Sequence, residues 1–318
     1  MTPRHLLVPA AAAPRFDGII ERCPFPQAGT HVTCAVSGGP DSTALAALAV
    51  AAGCTVTIVH VDHGLRAGSA AEVDVVRGTA DRLGVTMRSV RVDLADGPNL
   101  EARARAARYA ALPPDVLTGH TADDQAETVL LNLLRGASSG IAAMRPDARR
   151  PLLGLRRHET EWVCEVLGLE VVRDPSNTDR RFTRNRIRHD VLPLLCDVAG
   201  RDLVPVLTRQ AGVVRDEGDL LDGLAAAIDP SDARALAAAP VPLARRAIRR
   251  WLTEVGDTGH PPDLATVERV LAVANGRATA CQIAGGSWVR RSRQRLSIEP
   301  ESRPDPVSSP PMKGSVVG

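Results

Sequence analysis

Lysine is almost absent from this chain. Of 39 basic residues in 318, only Lys313 is a lysine, so arginine supplies the positive charge nearly everywhere. Its planar donor fork suits phosphate and carboxylate better than an ammonium point charge does. Cysteine is present but never paired: Cys23, Cys34, Cys54, Cys164, Cys196 and Cys281 show no CxxC or zinc-ligand spacing. That pattern fits a reduced, cytoplasmic setting. Uninterrupted apolar runs fall well short of the roughly 20 residues a membrane-spanning helix needs. The stretch LLVPAAAAP after Arg4 resembles a signal-peptide core, but Pro9 and Pro14 interrupt it and its basic region is one residue. Internal repeats are missing too, and a formal charge of +2 says little about partners.

What is present is alternation. With 44% apolar residues the chain can bury a substantial core, and its length points to about two domains. β-like runs at 31–36, 55–61, 86–92 and 115–119 alternate with helical ones at 42–52, 69–83, 99–111 and 122–135. The helices close on Gly53, Gly84, the pair Pro113 and Pro114, and Gly136; glycine caps a helix and proline blocks its continuation. This order predicts an α/β fold, a Rossmann-like parallel sheet with helices on both faces. Beyond Gly140 an arginine-rich, proline-punctuated stretch follows. Helical spacing then resumes over 203–224, 242–255 and 263–274, and TACQIAGGSWVRR reads as a hairpin turning at Gly285 and Gly286. The expected organisation is an N-terminal arm (1–29), a catalytic domain (30–200), a smaller, mainly helical domain (201–300) and a disordered proline- and serine-rich tail (301–318).

Four stretches carry chemistry. In SGGPDS, residues 37–42, glycines let the backbone turn at a strand end while the following helix aims its N-terminus at an anion. The loop has no lysine of the GxxxxGK[ST] kind and carries Asp41 instead. Pyrophosphate, with a cation such as Mg²⁺ between, suits it better than a transferring γ-phosphate. Within GHTADDQAETVLLNLLRG, Asp124 and Glu127 lie three apart on one helical face, with His120 in the loop before it. Two such carboxylates hold magnesium or a ligand ammonium, and the histidine serves acid–base chemistry. Ordinary helix-start preference for acids accounts for the same residues, and for Asp123 it is the better account. NLEARARAARYA places Glu101, Arg105 and Arg108 on one face, which reads as a solvated helix or as cations for the α-phosphate. HVDHGLR at a strand end, with His60, Asp62 and His63, lines the nucleotide pocket rather than binding zinc. Finally, RDPSNTDRRFTRNRIRHDVLPLL holds five arginines between 180 and 188. Arg245, Arg246, Arg249 and Arg250 repeat the theme, and two basic faces suit a polyanion larger than a nucleotide.

In this order, SGGPDS, HVDHGLR, EARARAARY, TGHTADDQAET and DPSNTDRRFTRNRIR resemble the tRNA(Ile)-lysidine synthase family of the PP-loop ATP pyrophosphatases, over about residues 30–195. The resemblance implies an ATP- and Mg²⁺-using ligase acting on tRNA(Ile) with a CAU anticodon. The cytidine at its first position is adenylated at the C2 carbonyl oxygen with release of pyrophosphate, and free L-lysine displaces AMP. Ser37, Gly38, Gly39, Pro40, Asp41 and Ser42 match the ATP loop, with His60 at its rim. Asp41, Arg105, Arg108, His120, Asp124 and Glu127 match positions at the reacting centre, Asp41 and Asp124 being the candidate metal ligands. Which of the acidic pair takes lysine stays open. Arg184, Asn185 and Arg188 match the tRNA-binding basic motif. A homodimer is implied, and a short form in which residues 201–300 recognise the tRNA body. Competing readings are a tRNA thiolase, which wants cysteine pairs; an amidotransferase-type synthetase, which has no need of RNRIR; and a nucleotide sensor without catalysis.

Overall fold

The computed structural model describes residues 8–62, 69–92, 107, 110–136, 140–255 and 261–300. The chain divides into two compact units, Met1–Val214 and Arg215–Gly318. In the first, β1 (His31–Ala35), β2 (Thr55–Asp62) and β3 (Thr86–Arg91) form a parallel sheet in that order, with His31 opposite Thr55 and Thr57 opposite Thr86. The expected fourth strand at 115–119 is a single parallel pair, Leu117 beside Cys34. Pro113 and Pro114 remove donors just before it, and the Thr118 amide turns aside to the Arg149 carbonyl at 2.8 Å. Even so, Leu117 bonds to both Thr33 and Ala35. β1 therefore lies between β2 and residue 117, and the chain leaving it stands where an open α/β sheet switches direction, the usual ligand crevice.

Helices α1 (Ala13–Glu21), α2 (Pro40–Ala51) and α3 (Ser69–Leu83) cover this sheet. In α2 every residue from Ala44 to Val50 is buried, as expected of a helix apolar all round. α1 seals the core with Phe16 and Ile19. α4 (Ala122–Leu134) follows residue 117, and an unexpected helix, α5 (Arg157–Val166), packs on α2. A run from α6 (Thr183–Arg186) through a π-helical turn at Ile187–Val191 into α7 (Leu192–Ala199) crosses α4, held by Leu192, Ala122 and Ala126. The 99–111 helix, apart from Ala107 and the residues from Ala110, lies outside the described residues, as do His63 and the tail.

α8 (Val204–Ala226) contains the boundary between the units. The second unit packs α9 (Ala233–Ala238), α10 (Val241–Val255) and α11 (Leu264–Ala274) around Leu236, Ile248, Val267 and Val270. Its antiparallel sheet joins β4 (Ala280–Gln282) to β5 (Trp288–Ser292) across Gly285 and Gly286, both at positive φ. A third strand, β6 (Arg295–Glu299), was not expected, since the stretch RLSIE offers only Leu296 and Ile298 as alternating apolar positions. Three of the four arginines on α10 meet acids: Arg245 with Glu268, Arg246 with Asp222 and Arg250 with Glu254. That face is less basic than its sequence. Among the described residues no helix is long and apolar enough to cross a membrane.

Gly119 locks α4's approach to α2: a Cβ there would stand 2.6 Å from the Asp41 carbonyl oxygen and 3.0 Å from the Ser42 nitrogen. Overpacking of this kind costs about 1–3 kcal/mol. Gly119→Ala is therefore expected to lower the urea midpoint. Gly78→Ala, on an exposed turn of α3 with open space around it, should raise stability by about 0.5–1 kcal/mol. Equal midpoints for the two variants would contradict the close approach.

Candidate active site

The SGGPDS turn is tied by its own serines. Ser42 Oγ accepts the Ser37 amide at 3.1 Å and donates to the Gly39 carbonyl at 2.9 Å. Gly38 sits at φ +90°, and a Cβ there would meet Val172 at 2.8 Å, so only glycine fits. Gly39 caps α2 with extended backbone and Pro40 begins it. The helix thus starts at the β1 exit with Asp41 in its first turn, where backbone N–H groups have no intrahelical partner. His60 is buried on β2, its Nδ1–H donating to the Val36 carbonyl at 2.9 Å. It braces the strand end from below the turn.

α4 delivers its acids one by one. Asp123 accepts the Arg157 amide at 2.8 Å and the Arg156 side chain at 3.1 and 3.2 Å, fastening the start of α5. Asp124 Oδ2 accepts the Thr121 amide and hydroxyl at 2.9 and 3.0 Å, closing a capping box. Gln125 clamps Met144 through both its amide atoms, at 2.6 and 2.8 Å. Glu127, 1% exposed, faces the same way as Asp124 one turn on. His120 stands before the helix with Nδ1 2.9 Å from Thr118 Oγ1.

Three guanidiniums converge on these acids. Arg157 reaches Asp124 and Glu127 at 3.1 Å each and Asp41 at 3.4 Å. Arg184 meets Asp124 and Glu127 at 2.9 Å each, and Arg188 grips Glu127 at 2.6 and 3.1 Å. Asp41, Asp124, Glu127, Arg157, Arg184 and Arg188 therefore form one partly buried, formally neutral cluster. Asn185 turns away and donates to the Asp179 carbonyl at 2.9 Å. Arg105 and Arg108 lie outside the described residues.

Burial works to raise the Asp124 carboxyl, but Arg157, Arg184 and the Thr121 amide outweigh it and hold it below the usual range. At Asp41 burial wins over Arg157 and Thr160, and the carboxyl is pushed up to about 6. The cluster thus keeps Asp124 ionised and leaves the loop aspartate to titrate about a unit below neutrality. Asp123 and Arg157 are the participants that sequence reasoning missed. Asp123 passed as a helix-start residue, and nothing in LLGLRRHETEW marks which arginine turns inward.

The Asp41 shift has a sign that can be checked. A carboxyl raised from 3.8 to about 6 by burial adds stability below the lower value and loses it as pH rises through the upper one. Asp41→Asn is therefore expected to gain about 2 kcal/mol relative to the parent between pH 4.5 and 7.5. Urea midpoints at the two pH values measure this, and parallel pH profiles would contradict it.

Comparison with known proteins places the chain among relatives. Residues 13–195 match the model of a PP-loop domain, and residues 232–297 that of the TilS substrate binding domain. A tRNA(Ile)-lysidine synthase from Nocardia farcinica is 42% identical over 88% of this chain and 95% of its own length. One from Mycobacterium tuberculosis is 43% identical over 81% of this chain and 85% of its own. Among solved structures, the U34-tRNA thiolase NcsA from Methanococcus maripaludis shares the fold, with a TM-score of 0.53 at 15% identity over 64% of this chain and 80% of that one. With a PP-loop domain over residues 13–195 and such relatives matched over most of their length, the chain belongs to the tRNA(Ile)-lysidine synthase family.

Proposed function

We propose that this chain uses ATP to join free L-lysine to C2 of the cytidine at the first anticodon position of a CAU-anticodon tRNA(Ile). The cytidine O2 displaces pyrophosphate from the α-phosphate; the lysine amine then attacks C2, loses a proton, and AMP departs. The observation that supports this most is that Asp41 of the glycine turn and the pair Asp124 and Glu127 share one cluster. The nucleotide seat and the acidic pair are one site.

In this reading the turn and the start of α2 receive the departing pyrophosphate. Asp124 and Glu127 take the substrate's free ammonium in exchange for a guanidinium, since arginines already occupy their oxygens. His120 accepts the proton released by the attacking amine. Arg105 and Arg108 are assigned to charge on the α-phosphate. Magnesium needs one or two carboxylates besides substrate phosphates. Asp41 fits it, because its Oδ2 is met only at 3.4 Å. Asp124 does not fit it while Thr121 and the arginines fill both its oxygens. When bound with the triphosphate, the ion neutralises charge on the leaving pyrophosphate. The thiolase alternative is disfavoured by chemistry: all six cysteines are unpaired, and burial pushes the thiols of Cys23, Cys34 and Cys164 up to about 12, far from a reactive thiolate. A homodimer and a cytoplasmic location complete the proposal.

The reading predicts alkali-stable incorporation of radiolabelled lysine into tRNA lacking the modification, dependent on ATP. Asp41→Ala should abolish both AMP release and label, while label without ATP would refute the scheme. For Arg184 and Arg188, the reacting base must come to the cluster they border, so their contribution to tRNA belongs at its anticodon end. Replacing both by glutamine should weaken tRNA binding and reduce its salt slope by about 1–2. An unchanged slope with lost lysine turnover would confine them to the acidic pair.

A further inference from the structure

Thr160, on α5, is completely buried, yet its hydroxyl donates to Asp41 Oδ1 across the interface with α2. The Thr160 hydroxyl oxygen also lies 2.7 Å from the Arg157 carbonyl, but its one proton goes to the carboxylate, the stronger acceptor when ionised. One turn back, Arg157 approaches Asp41 Oδ2; one turn on, Cys164 Sγ donates to the Pro40 carbonyl at 3.4 Å. A single face of α5 thus reaches two consecutive residues of the glycine turn.

A fully buried hydroxyl on the helix that packs against α2 costs free energy unless it is bonded. A valine of the same shape would pack there without that cost. What threonine adds is the bond to Asp41, which fixes one carboxylate oxygen and leaves the other, Oδ2, turned to the cluster. Donation from a neutral hydroxyl to an ionised carboxylate is also the stronger class of hydrogen bond. We propose that Thr160 is a positioning residue for the reaction: it holds the Asp41 carboxylate in the orientation the nucleotide step requires, without touching substrate. This rests on the reading that Asp41 serves the ATP loop.

The test compares Thr160→Val and Thr160→Ser with Asp41→Ala in the full chain, following ATP- and tRNA-dependent AMP formation at saturating lysine. Losing one charge-assisted bond should lower kcat about 10- to 100-fold in the valine variant, while the serine variant stays within about 3-fold of the parent. The KM for lysine should hold in both, because Thr160 contacts neither Asp124 nor Glu127. Packing predicts the reverse order: valine keeps the volume and serine loses a methyl, so a purely structural role leaves Thr160→Val active and Thr160→Ser the less stable of the two. Native kcat in the valine variant, or equal losses in both, overturns the proposal. Should valine not yield folded protein, Thr160→Ala against Thr160→Ser is read in the same way. Normal turnover by Asp41→Ala would instead overturn the underlying assignment of the loop, a result distinct from either.

Discussion

Three carboxylates and three guanidiniums, drawn from α2, α4, α5 and the α6 to α7 run, neutralise one another at the mouth of the sheet. Isolated charges with so little solvent would not be tolerated, and removing one member of a buried set is typically worth about 3–5 kcal/mol. Each helix end is therefore placed by charge as well as by apolar packing. The elements that need not touch for the sake of the core, α4 with α5 and α6, are joined chiefly through Asp123, Asp124 and Glu127. The site and this part of the fold are held by the same contacts.

That double role explains why five consecutive positions, Asp123 to Glu127, have such different duties. Asp123 fastens the neighbouring helix, Asp124 caps its own, Gln125 clamps a loop, Ala126 packs inward and Glu127 gathers arginines. A helix turns successive residues to different directions while bringing Asp124 and Glu127, three apart, onto one face, so a contiguous motif can serve several partners far apart in sequence.

The legible parts were those whose cause is local. Glycine turns, helix caps and the period of α10 depend on near neighbours, and so the three strands, the hairpin at Gly285 and the placing of Asp41 at a helix start could be read directly. Arg157 could not, because its partner Asp41 is 116 residues away and Arg156 beside it has the same composition signal. Leu117 shows the opposite failure: the apolar run was read correctly, but the Thr118 amide spent on Arg149 and the Val116 amide on Pro113 reduced a strand to one pair. Arg184 and Arg188 read as surface charge for a polyanion, and their inward turn follows from Leu192 and Ile187 anchoring the run over α4.

The composition with which the chain begins to be distinctive gains a chemical meaning at this cluster. Among the described residues, every ion pair of the acidic pair is with a guanidinium, and the whole sequence holds one lysine, Lys313. Guanidinium stays protonated throughout the range in which proteins work and is a poor nucleophile, whereas a neighbouring lysine could shed its proton and attack an activated carbonyl. On the proposed reading, a pocket that takes an amine by its charge is lined, among the described residues, by cations that cannot take the amine's part in the reaction, so chemoselectivity lies in which cations were left out.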